Sequence, residues 1–508
     1  VLLGVVLVFL LYTFLGFLLP APFATMKYSF GKLISKLTMI QGLYGIILGI
    51  SANYLFLFVT FGSVLQISGA TRFFMQIGKL LGRSGLAGGA ALTAVISSAL
   101  LGTLTGSVSA NVVTSGSYSI PLMKKAGYRA EQAAAIEAAA STGGQIMPPI
   151  MGAGAFVMAG ITGIPYLEII VAAIIPAILY FVVVGVYAQL QAMKLGIRPL
   201  PEKIDIKEML LTSYLFMVPI GILVILLVVG YTPMYVIFWT IISVVALSMF
   251  RKETRPSLMQ WVEGFRNGAI LGAQIGVSCA VIGLIVSCIT LTGLGLKVPG
   301  LVEAISGGSM VIALLLTAGA ALILGCGMPT VAVYIMVVTV IAPVLVKMGL
   351  PLLTAHFFAF YFACMNFVTL PVAIGALIAS KVAGANFTRT GIESMKAALG
   401  GFIVPFLMIL APVLMLQGQG SPSGVVIITQ VISSLVILVA FEIVLNNHYL
   451  RPVNIIESIG SALSGIMLFG YLITKNNLFT LGFVVFAVVT LGQLRKVYTR
   501  TSQLAKAS

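Results

Sequence analysis

Polar and charged positions in this chain fall in short clusters between long apolar runs. Runs near 1–19, 42–66, 165–190, 211–230, 233–250, 268–290, 396–416, 424–444, 456–473 and 478–494 match the length a helix needs to cross a bilayer, roughly 20 residues. Two further stretches, 86–160 and 309–382, are apolar but repeatedly broken by Gly, Pro, Ser, Thr and Asn. Discontinuous helices and re-entrant hairpins carry that pattern. The prediction is an all-α polytopic membrane protein.

Composition sharpens the picture. Of 508 residues 60% are hydrophobic and only 8% charged, against about 25% charged in a soluble domain, so a soluble multidomain enzyme is excluded and the solvent is lipid. The imbalance of 28 Lys+Arg over 12 Asp+Glu sits mostly in loops, as the positive-inside bias requires, and does not point to nucleic acid. Cys279, Cys288, Cys326 and Cys364 stand singly in apolar runs, without the spacing of a zinc or disulfide framework. The chain opens at Val1 inside an apolar stretch without a basic leader. Residues 1–19 therefore read as a helix rather than a signal peptide, with further sequence expected upstream.

Loop charge gives a topology. Lys194, Arg198, Lys203 and Lys207 precede one helical hairpin and Arg251, Lys252, Arg255 and Arg266 follow it, placing both loops on the cytoplasmic side. Lys124, Lys125 and Arg129 fall on that side, and Lys347 on the other. Lys27, Lys32 and Lys36 come out external, so residues 21–40 are expected to form an amphipathic arm in the interface, where lysines snorkel. Gly264, Gly268, Gly272 and Gly276 recur every four residues, a bare helix face suited to close packing.

The two broken regions resemble each other. An offset of 222 residues superposes Pro121 on Pro343, Lys125 on Lys347, Gly127 on Gly349, Ala133 on Ala355 and Pro149 on Pro371. With opposite loop orientation this gives inverted repeats, whose binding sites lie where the helices break. The division reads as 1–40 connecting helix and arm, 41–195 first repeat, 196–265 scaffold hairpin, 266–416 second repeat and 417–508 a three-helix extension.

Prolines at the breaks supply the chemistry. Pro148 and Pro149 remove the helical donors of the Gly144 and Gln145 carbonyls, Pro371 that of Phe367, and Pro329 that of Gly325. Hydroxyls of Ser107, Ser109, Thr142, Thr330 and Thr369, with the amides of Asn111 and Asn366, stand beside them in sequence. Such oxygens suit a hard monovalent cation such as sodium; alternatively they bond to neighbouring helices or water. Glu137 lies in an Ala-rich helix, where an ionisable group is a functional candidate. It is either a proton carrier or an interfacial carboxyl paired with Gln132, Lys124 or Lys125. His356 reads as a satisfied histidine more readily than as a proton relay.

The segments Gly106-Ser-Val-Ser-Ala-Asn-Val-Val-Thr114, Ser119-Ile-Pro-Leu-Met-Lys-Lys-Ala-Gly-Tyr128, Ala140-Ser-Thr-Gly-Gly-Gln-Ile-Met-Pro-Pro149, Gly325-Cys-Gly-Met-Pro-Thr330 and Asn366-Phe-Val-Thr-Leu-Pro371 resemble the large membrane component of TRAP transporters, specifically the fused permeases that work with TAXI-type binding proteins. The resemblance covers about residues 1–415, and the last three helices resemble the fused type's C-terminal extension. It implies an elevator-type secondary importer in a bacterial or archaeal inner membrane, with a transport domain sliding against a scaffold and an extracytoplasmic binding protein delivering a small organic anion, typically a carboxylate. It also implies small-subunit-like N-terminal helices, lying upstream or supplied separately. By resemblance the first sodium site uses Ser107–Asn111 and the break Thr142–Pro148. The second uses Gly325, Cys326, Gly327, Met328 and Thr330 with Asn366, Phe367 and Thr369. The expected coupling ion is sodium, a proton through Glu137 remaining open, and no cofactor or covalent chemistry is expected.

Two rivals fit less well. A channel needs a continuous polar pore face, whereas polar residues here gather at two breaks. An intramembrane serine enzyme built on Gly106-Ser107 or Gly116-Ser117 has only His356 and His448 to draw on.

Overall fold

The computed structural model describes residues 2–21, 23–39, 42–82, 87–198, 205–250, 255–416 and 423–507. Among them every named element is a helix, and the one β-type pairing is an isolated bridge between His448 and Pro452. Eight helices are long and apolar enough to cross a membrane: Ile46–Ile67, Tyr166–Leu195, Ile206–Val228, Leu258–Thr292, Phe387–Leu410, Gly424–Asn446, Ile455–Thr474 and Asn477–Val497. Leu2–Leu18 and Pro233–Ser248, expected as full spans, are shorter apolar helices. The run expected at 268–290 starts at Leu258, because Ser257 caps that helix by accepting from Gln260 N. Large apolar side chains such as Leu3, Phe238, Val277 and Ile459 point outward, as they must where lipid replaces water. The chain is a multi-pass membrane protein.

Residues 30–38 form a short amphipathic helix, Phe30–Thr38, with Leu33 and Leu37 buried against Cys288. Its lysines stay at the surface. Lys32 Nζ lies 5.8 Å from the Tyr28 ring centroid, and Lys27 Nζ lies 5.3 Å from that of Phe17.

The glycine stripe has a specific partner. A Cβ on Gly264 would meet Ile67, one on Gly268 would meet the Thr60 backbone, and one on Gly272 would meet Phe56. Numbers rising on one helix pair with numbers falling on the other, so Leu258–Thr292 and Ile46–Ile67 pack antiparallel with their backbones close.

The 222-residue offset holds at the level of elements. It carries Ala130–Gly143 onto Leu352–Met365 end to end. The returning arm Val108–Ala126 maps onto Thr330–Val340 plus Ala342–Lys347, a pair interrupted near Pro343 where the first repeat keeps Pro121 inside one helix. Both broken helices resume on similar register, at Ala153–Thr162 and Ile374–Ala383. The cis peptide bonds Pro148–Pro149 and Leu370–Pro371 stand at equivalent positions.

Gly424–Asn446, the first helix of the C-terminal extension, packs on Tyr166–Leu195 through a buried polar chain. Asn446 Nδ2 donates to Glu442 Oε2 at 2.7 Å, Gln191 Nε2 to Asn446 Oδ1 at 2.7 Å, and Gln132 Nε2 to Gln191 Oε1 at 2.7 Å. Alongside it, Tyr187 Oη donates to Glu393 Oε2 at 2.5 Å and Lys396 pairs with Glu393 Oε1 at 2.8 Å. The last three helices are thereby tied to the helix that follows the first broken segment.

Candidate functional site

Both hairpin tips and both breaks border one cavity of about 430 Å³. The first tip enters at Gly106, whose φ of 58° turns the chain in the left-handed region that glycine tolerates. Ser107 then caps Val108–Ala126 by accepting from Ala110 N at 3.4 Å. The second tip turns at Gly327, φ 76°, and Thr330–Val340 starts directly after Pro329. Ser107, Ser109, Gln145, Gly327, Met328, Thr330 and Phe367, all expected from the sequence, line the cavity.

Gln145 joins the halves. Its Nε2 donates to Gly106 O at 3.2 Å and its Oε1 accepts from Thr330 Oγ1 at 3.0 Å. One side chain in the first break therefore holds both tips. Behind the tips the backbones are close: Cβ atoms on Gly102 or Gly144 would collide with the other residue, and one on Gly325 would collide with the Asn366 amide.

Of the carbonyls released by proline, those of Gln145, Phe367 and Gly325 have backbone donors, the first two across their own breaks. Gln145 O accepts from Gly152 N at 2.7 Å, and its repeat counterpart Phe367 O accepts from Gly375 N at 2.9 Å. Gly325 O accepts from Met328 N at 3.1 Å. Phe367 O also accepts from Ala376 N at 3.3 Å, whereas the carbonyls of Gln145 and Gly325 each keep a second lone pair. Thr142 Oγ1 donates to Ala138 O one turn back in its own helix, and Thr369 Oγ1, in the second break, donates to Met365 O at the end of the preceding helix. Asn366 Nδ2 donates to Ala321 O at 3.1 Å and Phe362 O at 3.2 Å, and the Cys326 thiol faces Leu322 O at 3.4 Å. Asn111, Thr142, Gly144, Pro148, Gly325, Cys326, Asn366 and Thr369 lie outside the cavity lining.

Glu137 is fully buried, and the interfacial pairing considered for it is not what the structure holds. Gln132 bonds Arg129 N and Gln191, and Lys124 Nζ donates to Ala383 O. Four serine hydroxyls surround the carboxyl instead. Ser98 and Ser141 reach Oε1 at 3.1 Å each, Ser115 also donates to Oε1, and Ser119 reaches Oε2 at 2.5 Å. Ser98 comes from the entering arm of the hairpin, Ser115 and Ser119 from the returning arm, and Ser141 from Glu137's own helix. Asn111 closes the cluster, Nδ2 donating to Ser98 Oγ at 3.0 Å, while its buried Oδ1 has no partner. No lysine, arginine or histidine bonds to the carboxyl among the described residues. A hydroxyl donates or accepts as required, so this surround satisfies Glu137 charged or neutral. His356 is buried with Nδ1 2.7 Å from Tyr334 Oη, the satisfied histidine expected.

Sequence reading missed the serines and the far wall. Ser115 and Ser119 lie one helical turn apart, as do Glu137 and Ser141, and that spacing was the available signal. Phe58 and Val59 from Ile46–Ile67, and Leu271, Gln274 and Ile275 from Leu258–Thr292, complete the cavity; only the fold brings them there. Among curated proteins none matches the chain. Residues 2–421, which contain both tips, both breaks and Glu137, match the family model described as the tripartite ATP-independent periplasmic transporter, DctM component, and the chain belongs to that family of transporter permeases.

Proposed function

We infer that this permease imports a small organic anion delivered by an extracytoplasmic TAXI-type binding protein, and that a proton carried by Glu137 drives the import. One observation carries the coupling: a buried carboxyl whose hydrogen-bonding partners are four serine hydroxyls, with no basic partner among the described residues. A salt-bridged carboxyl would be locked in its ionised form, whereas this cluster accommodates either state. The anion sits between the tips, where Ser107, Ser109 and the start of Val108–Ala126 offer donors and a favourable helix dipole. The hairpins, the broken helices and Tyr166–Leu195 form the unit that moves, elevator fashion, against Ile46–Ile67 and Leu258–Thr292. The cavity's position between these two sets supports that division. The setting is a bacterial or archaeal inner membrane.

Sodium coupling is the second reading, favoured by the unpartnered, buried Asn111 Oδ1 and the Ser109 hydroxyl at the first tip. Uptake into proteoliposomes, with the binding protein present and a proton or sodium gradient imposed, separates the two. Proton-driven uptake that is indifferent to sodium and lost in Glu137→Gln supports the first. Sodium-driven uptake that survives Glu137→Gln supports the second. Uptake needing neither gradient ends both.

A further inference from the structure

We propose that the transported anion carries a single carboxylate on an apolar body, and that the cavity discriminates against dicarboxylates. The inference rests on reading the cavity between the tips as the anion site. Its walls are of two kinds. The hairpin side presents the neutral donors Ser107 and Ser109 at the start of a helix. Gln145, beside them, has its amide committed to Gly106 and Thr330. The opposite side is apolar, with Phe58, Val59, Leu271 and Ile275 facing the same space. Phe58 is fixed there, its ring centroid 3.8 Å from that of Phe156.

Among the described residues that line the cavity there is no lysine, arginine or histidine. Two hydroxyls and a helix N-terminus can hold one carboxylate. A second carboxylate, at the far end of a short dicarboxylate, would point at aromatic and aliphatic carbon. The polar exceptions on that side are Gln274 and Ser278, and the Ser278 hydroxyl is spent on Gln274 O at 2.9 Å. One free amide can bond a neutral keto or hydroxyl group but cannot balance a second negative charge, and an unpaired buried charge is strongly disfavoured. A cavity of about 430 Å³ lies in the range that holds small organic ligands, about 300–1,000 Å³, so the apolar side has room for a branched aliphatic group.

The test uses the whole chain in nanodiscs, titrated with acetate, 4-methylpentanoate and succinate while thermal unfolding is followed. The expected result is an apparent Kd for 4-methylpentanoate roughly ten-fold or more below those for acetate and succinate. Leu271→Gln should erase the advantage of 4-methylpentanoate over acetate, and Ser109→Ala should weaken all the acids together. Succinate binding as tightly as 4-methylpentanoate overturns the proposal while leaving an anion site in place. If none of the acids stabilises the protein, although proton- or sodium-driven uptake is seen with the binding protein, the cavity is not the anion site and the proposal falls with it.

Discussion

Replacing Glu137 with Leu would turn four serine hydroxyls toward a hydrocarbon side chain. Stranded buried donors cost about 1–3 kcal/mol each when unpaired. Some would re-pair, since Ser98 and Ser141 already lie 3.0 Å apart and Ser115 also donates to Asn111 O. The expected net loss is about 2 kcal/mol, seen as a lowered melting temperature in detergent. Glu137→Gln keeps acceptor and shape and should melt close to the parent while losing proton-driven uptake. A parent-like melting temperature for the Leu variant would mean the serines do not depend on the carboxyl. Gln145→Ala removes the side chain holding both tips and should raise amide hydrogen exchange over residues 106–110 and 327–331 together. Faster exchange at one tip alone would show that the bridge does not couple them.

At the scale of elements, the glycine stripe makes a graded prediction. Gly268→Leu places carbon against the Thr60 backbone and should destabilise the helix pair by about 1–3 kcal/mol. Gly276→Ala meets only Ser51 Oγ, at 3.7 Å, and should be nearly neutral. Thermal unfolding of both variants checks the antiparallel register, and equal effects would refute it. The C-terminal extension offers a second test. Asn446→Leu cuts the chain from Glu442 to Gln132 in the middle and leaves Gln191 and Glu442 short of partners. A loss of about 2 kcal/mol is expected, whereas an unchanged melting temperature would make the extension an independent appendage. Glu442, an ionisable residue inside an apolar run, was not picked out from the sequence, and its partners could not be, because Gln191 and Gln132 reach it only through helix packing.

For the whole molecule, the sequence resolved what depends on local punctuation. Prolines and glycines located both breaks and both tips because they act on their own backbone, and the offset of 222 survived as matching helix bounds. The length of Pro233–Ser248 and the start at Leu258 were misjudged, since apolar runs do not mark where a cap ends a helix. The candidate oxygens at the breaks could be named from the sequence, but not their hydrogen-bonding state. Whether the Phe367 carbonyl is free depends on Gly375 swinging back across the break, which no spacing rule contains. The convergence of tips, breaks and the helices Ile46–Ile67 and Leu258–Thr292 on one cavity is a property of the fold alone.

The four cysteines differ in one respect that matters to an experimenter. Cys279, Cys288 and Cys364 are buried, while Cys326, on the second tip, is half-buried. The unmodified protein thus carries a native chemical reporter next to the cavity. A membrane-impermeant maleimide applied from one face should label Cys326 at a rate set by how often that tip opens to that face, and a bound anion or an imposed gradient should change the rate without any engineered probe.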